Sequence, residues 1–303
     1  MKFILSACFL ICFCGLFAGA QVPALSDDER DKLIDQALSF YYNGKPVQAR
    51  VVAEILKRHF PEDAFFRELT AEIIWLELSQ KAAPQTHLSK EVDLTLVKEN
   101  TFLVEQFKEE IYSGLVLTQQ NLNDNPNDSR AIFLRGMLKA RYGGFVAKFE
   151  SGLRTIREAD RETAEGLGLI KRAIGLDSGL CSAKYLLGLT KYTLLQKGIE
   201  EWKAYIAIRL YSEVYNVMDR RLDLGEIFSI FRESMRCHSD YYFMKDVEID
   251  KMFVFQDVLT KQAGRMDDEV LPVLEELNRR FPENKQIRDN LFLVRLHIRN
   301  KQH

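Results

Sequence analysis

Apolar side chains return at i, i+3 and i+4 along almost all of the chain after residue 27. Over no strand-length window do Val, Ile and Thr alternate with polar residues. This pattern predicts an all-α protein. Ser26-Asp27-Asp28-Glu29 supplies an N-cap and an acidic first turn. The helix it opens places Leu33, Ala37 and Phe40 on one face and stops at Asn43-Gly44. A second helix is expected from about Pro46 to Phe60, with the proline tolerated in its first turn. Val92 to Asn121 has no Pro or Gly before Gly114, which predicts a single helix of about 30 residues, roughly 45 Å long. Residues 198 to 246, with Trp202, Tyr205, Tyr211, Tyr215, Phe228 and Phe231, predict two or three irregular helices. Ala82 to His87 is the clearest loop and gives a weak subdivision near 82–88. A last amphipathic helix over 285–300, basic at its end, is suited to cap a helical stack.

One phrase occurs twice. Glu54-Ile55-Leu56-Lys57-Arg58-His59-Phe60-Pro61-Glu62 returns as Glu275-Glu276-Leu277-Asn278-Arg279-Arg280-Phe281-Pro282-Glu283. Each copy closes an amphipathic segment that its proline then stops. Such recurrence points to stacked helical hairpins. With Pro61 as the phase mark, Leu33, Ala37, Phe40, Gly44 and Ala49 fall where the 34-residue tetratricopeptide unit has its characteristic residues, and the chain resembles that family. Pro126 sets a second phase that brings Ala131 and Gly136 to the matching small-residue places. Ala183 and Gly188 do the same in a third unit, with Ala173 and Ser178 closing the unit before. The starts at Ser129 and Cys181 lie 52 positions apart, so the excess over one unit falls between Gly143-Gly144 and about Glu165, as an elongated hairpin or an extra helix. A fourth unit ends at Pro282, with Val258 and Val270 where smaller residues are usual.

The resemblance implies an irregular right-handed solenoid of antiparallel helical hairpins with inserted long helices, which binds peptides or proteins and carries no catalytic residues. It also places a concave groove along the first helices of the units. Transferred by phase, that groove is Ile34, Leu38 and Tyr41, then Arg130, Phe133 and Met137, then Tyr185, Leu189 and Tyr192. Aromatic, Met and Arg side chains suit binding hot spots. The competing reading is that inserted helices fill the concavity and these residues are core.

Residues 1–20 read as a signal peptide: Lys2, a run from Phe3 to Phe17 that is apolar apart from Ser6, then Ala18-Gly19-Ala20 as a small-x-small cleavage site. The mature protein, 21–303, is expected to be a single domain. Leu5-Ser6-Ala7-Cys8 resembles a lipobox, but only two apolar residues precede it, which makes a lipid anchor a poor fit. Cleavage removes one of 42 basic residues and none of 44 acidic ones, taking the formal net charge from −2 to about −3. Such balance argues against a general nucleic-acid binder. After residue 20, charges interrupt every apolar run, so no transmembrane span is expected. Cys181 and Cys237 remain in an oxidising compartment. A bridge between them would close a loop of about 56 residues and contribute on the order of 4 kcal/mol, whereas a lone helical cysteine is commonly a small buried apolar residue.

Chemical motifs are sparse. His59, His87, His238, His297 and His303 have no ligand-type neighbour at a recognised metal spacing. Cys237-His238-Ser239-Asp240 gathers nucleophile, base and acid types, but adjacent helix positions point apart. Gly143-Gly144 and Gly166-Leu167-Gly168 lack the Lys-Ser/Thr of a phosphate loop, and Gly166 falls at a small-residue place of the repeat, where helix packing accounts for it. Asp267-Asp268-Glu269 fits a helix start, and Arg295, Arg299 and Lys301 fit a helix end. Asn127-Asp128-Ser129 is a glycosylation sequon, relevant only in a eukaryotic host. The expected function is a non-catalytic scaffold, exported to the periplasm or envelope surface, that holds a protein or peptide segment without a cofactor. Two alternatives stay open: a structural component of an envelope assembly, and an unrecognised hydrolase.

Overall fold

The computed structural model of the chain describes residues 25–82, 93–150, 153–200, 213–218, 226–227, 229–230 and 270–301. Among these residues every regular element is helical. The elements are α1 (Asp27–Tyr42), α2 (Pro46–His59), α3 (Ala64–Lys81), α4 (Leu94–Glu99), α5 (Thr101–Asp124), α6 (Ser129–Phe149), α7 (Leu153–Leu176), α8 (Cys181–Glu200), α9 (Glu213–Val217), α10 (Val270–Arg280) and α11 (Lys285–Lys301). A capping box opens α1, where the Glu29 amide donates to Ser26 Oγ at 3.3 Å and the Ser26 amide donates to Glu29 Oε2 at 2.9 Å. Gly44, at φ +72°, supplies the left-handed turn into α2.

Four turns share one hydrogen-bond pattern. The amides of Phe60, Asn125, Asp177 and Phe281 each donate to the carbonyl four residues back, closing the preceding helix. Three residues after each of them, the amides of Asp63, Asp128, Leu180 and Asn284 donate to the first residue's carbonyl. Asp63, Asp128 and Asn284 then cap the next helix through the amides of Phe65, Ala131 and Ile287. The duplicated Phe-Pro-Glu phrase is therefore one structural device, and Pro126 and Ser178 occupy the same place in the other two copies.

Helix pairs pack in chain order: α1 with α2, α2 with α3, α3 with α5, α5 with α6, α6 with α7, and α7 with α8. The most extensive pair is α6 with α7. A Cβ on Gly136 would come 2.7 Å from the Gly166 carbonyl, and one on Gly166 would come 2.6 Å from the Gly136 carbonyl. Gly143 is equally close to the Ala159 carbonyl, at 2.6 Å. Ala37 and Gly188 are also buried. Gly143 and Gly144 lie inside α6, so the long spacing between units is an elongated hairpin without an extra helix. Its added length covers a second core, in which Phe145 stacks on Phe107 at 4.0 Å and Trp75 lies edge-on to Phe107, Phe145 and Phe149.

One expectation is corrected. The single long helix over Val92–Asn121 is broken into α4 and α5 at Asn100. The Asn100 amide donates to the Val97 carbonyl and its Nδ2 to the Leu96 carbonyl, so the side chain takes up a helix-end acceptor and stops propagation. The C-terminal helix joins the opposite end of the chain: α10 and α11 share a core with α1 and α2. Asn284 Nδ2 donates to the Tyr42 carbonyl at 2.7 Å, Lys45 pairs with Glu283 at 2.5 Å, and Phe281 packs on Tyr42. The aromatic segment 198–246 lies largely outside the described residues.

Candidate binding site

The groove residues separate by burial. Ile34, Leu38, Phe133, Tyr185 and Tyr192 are buried, and Ile34, Leu38 and Phe133 belong to the main core. Tyr41, Arg130, Met137 and Leu189 are half-buried. Tyr41 donates its hydroxyl to Glu72 on α3. Met137 packs on the main core. Cys181 is buried and disulfide-bonded; Cys237 lies outside the described residues. Of the five histidines, only His59 has its side chain described.

Polar side chains thread the faces around α3. Arg50 on α2 pairs with the buried Glu77 at 3.1 Å, and Lys57 with the buried Glu110 on α5, which also meets Arg67 at 3.2 Å. Arg141 on α6 reaches back through Nε and Nη2 to the buried Glu68, at 3.0 and 2.6 Å, and also pairs with Glu72. Such charges are tolerated inside a protein only when paired. They fix the relative placement of α2, α3, α5 and α6, and with it the turns at the ends of these helices.

Two of the four recurring turns lie beside one cavity of about 480 Å³. His59, Phe60, Pro61, Glu62, Asp63 and Ala64 line it from the α2–α3 turn. Asn121, Asp128, Arg130, Ala131 and Leu134 line it from the α5–α6 junction. Phe60, Ala64, Ala131 and Leu134 give it apolar walls, whereas Glu62, Asp63, Asp128 and Arg130 supply charge. Arg130 Nη2 stands 3.5 Å from Asp63 Oδ2, and both side chains keep about a third of their surface open. Asp63 serves two partners, since its Oδ1 accepts from the Phe65 amide at 3.0 Å. The volume suits one bulky side chain or a small ligand, and six of the eleven lining residues (His59, Glu62, Asp63, Asn121, Asp128 and Arg130) are polar or charged, so polar groups make up more of its wall than is usual for an apolar ligand pocket.

The chain matches no protein-family model and no curated protein. Of the predicted groove, Arg130 alone lines this cavity. Asp63, Asp128 and Leu134 were not among the predicted site residues. The two aspartates carried a signal all the same, because each follows a phase-marking proline by two residues and caps the next helix.

Proposed function

We propose that this chain is an exported, non-catalytic scaffold of tetratricopeptide-like hairpins that binds an extended peptide segment of a protein partner. The solenoid reading is supported by four turns with one hydrogen-bond pattern and by packing of helices in chain order. Export is supported by the signal-like first twenty residues. The observation that carries the binding reading is the cavity with Arg130 at its rim. A bulky apolar side chain of the peptide would enter between Phe60 and Leu134. Arg130 would turn from Asp63 to donate to peptide carbonyls, and Glu62, Asp63 and Asp128 would favour a neighbouring Lys or Arg.

Panning a displayed peptide library on the full chain tests this. Selected peptides should carry a bulky apolar residue beside a basic one. Glu62→Lys, at an exposed position, and Arg130→Ala should each weaken the selected peptides by about tenfold or more while helical circular dichroism is unchanged. Selection of no peptides, or of peptides whose affinity neither substitution alters, would overturn the reading.

A further inference from the structure

The amphipathic helix α11 has two contrasting faces. Ile287, Leu291 and Val294 are buried in the main core. On the other side Phe292, Leu293 and Leu296 are 66%, 50% and 42% exposed. Isolated exposed apolar residues are common on protein surfaces, but a contiguous group of large ones calls for a partner. The helical period of 3.6 places Lys285, Arg288, Phe292, Leu296 and Arg299 along one exposed stripe, with the exposed Asp289 and Leu293 at its edge. Lys285, Arg288, Arg295, Arg299 and Lys301 give the helix five basic residues against one acidic residue, Asp289. Arg295 is paired with Glu275 at 2.9 Å, whereas Arg288 and Arg299 form no ion pair among the described residues.

We propose that α11 docks this protein on an anionic membrane surface, with Phe292, Leu293 and Leu296 entering the headgroup boundary and Arg288 and Arg299 meeting lipid phosphates. Charge selects this occupant. A second copy laid across the same stripe would bring arginines towards arginines, whereas acidic lipid complements both the cations and the apolar residues between them. No spanning segment is needed, and no described helix is long and apolar enough to cross a membrane. The buried side of α11 stays on the protein through Ile287 and Val294, so docking would leave the helix in place. This inference is independent of the cavity beside Arg130.

Co-sedimentation of the full chain with vesicles tests it. Vesicles rich in phosphatidylglycerol should bind the protein, and pure phosphatidylcholine vesicles should not. The pair Phe292→Ser with Leu296→Ser should lower partitioning about tenfold or more. The pair Arg288→Gln with Arg299→Gln should lower it roughly fivefold for each charge removed, and high salt should act in the same direction. All four side chains are exposed, so an unchanged thermal melt confirms that the fold survives. Absence of binding to anionic vesicles, or binding indifferent to both pairs, would overturn the proposal. A concentration-dependent dimer that the Phe292→Ser pair dissolves would reassign the face to self-association.

Discussion

α6 meets α7 through glycine, whereas α3 meets α2 and α6 through buried charge. In the first interface, Gly136 and Gly166 bring two backbones so close that one methyl group has no room. In the second, Arg141 and Arg50 reach the enclosed Glu68 and Glu77 from neighbouring helices, and Lys81 of the same helix also pairs with Glu77 at 3.0 Å. Small residues let two adjacent segments form a tight hairpin with little choice of register. Charged pairs do different work: they decide which hairpin lies beside which, because a carboxylate left without its partner is costly. The cavity sits at a junction of this second kind, between successive hairpins rather than within one.

Substitutions can break that contrast at either interface. The largest effect is expected for Gly166→Ala, whose Cβ would press on the Gly136 carbonyl and the Ala140 amide nitrogen. A loss of about 3 kcal/mol in urea unfolding is expected, as for overpacking against backbone. Glu68→Gln should cost about 2 kcal/mol by the same measurement, since the amide oxygen can still accept from Arg141 Nε and Nη2 but the carboxylate charge that offsets the guanidinium is gone, leaving only Glu72. Gly168→Ala, two residues from Gly166 on the same helix, should stabilise by about 1 kcal/mol, because its Cβ would meet nothing within 4 Å. Opposite signs at Gly166 and Gly168 would isolate the close approach from helix propensity.

The smallest effect is a pH dependence at the rim of the glycine seam. Burial opposes the charge on Lys139, but hydrogen bonds to Glu165 and Glu162 outweigh it and hold the lysine above its ordinary range. For Glu162, burial acts upward and is outweighed by the bond from Lys139, so its carboxyl lies below the ordinary range. The Glu162 contribution is fully present above the unfolded value of about 4.3 and is lost as pH falls through the lowered folded value. The Lys139 contribution is present below about 10.4 and is lost as pH rises through the raised folded value. Lys139→Met should flatten both limbs of a melting-temperature profile by a few degrees at most.

Positions that answer to local geometry were legible in the sequence. Ala37, Gly136 and Gly166 stand at the small-residue places that close helix pairs need, and the Pro61, Pro126 and Pro282 turns follow from helix termination. Asn100 was missed because its side chain competes for a carbonyl within an otherwise unbroken helical pattern. Apolar periodicity marks the face of a helix that must be covered but not what covers it. Ile34, Leu38 and Phe133 therefore read equally well as groove or core before their burial was seen. Partners distant in sequence were the least accessible. Nothing near Glu68 announces Arg141, 73 residues on, and nothing near Tyr42 announces Asn284.

Hydrogen exchange of the full chain, with and without a selected peptide, tests the binding account most directly. Added protection is expected in the α2–α3 turn over 59–64 and at the start of α6 over 128–134. Protection confined to other helices, with these two segments unchanged, would contradict it.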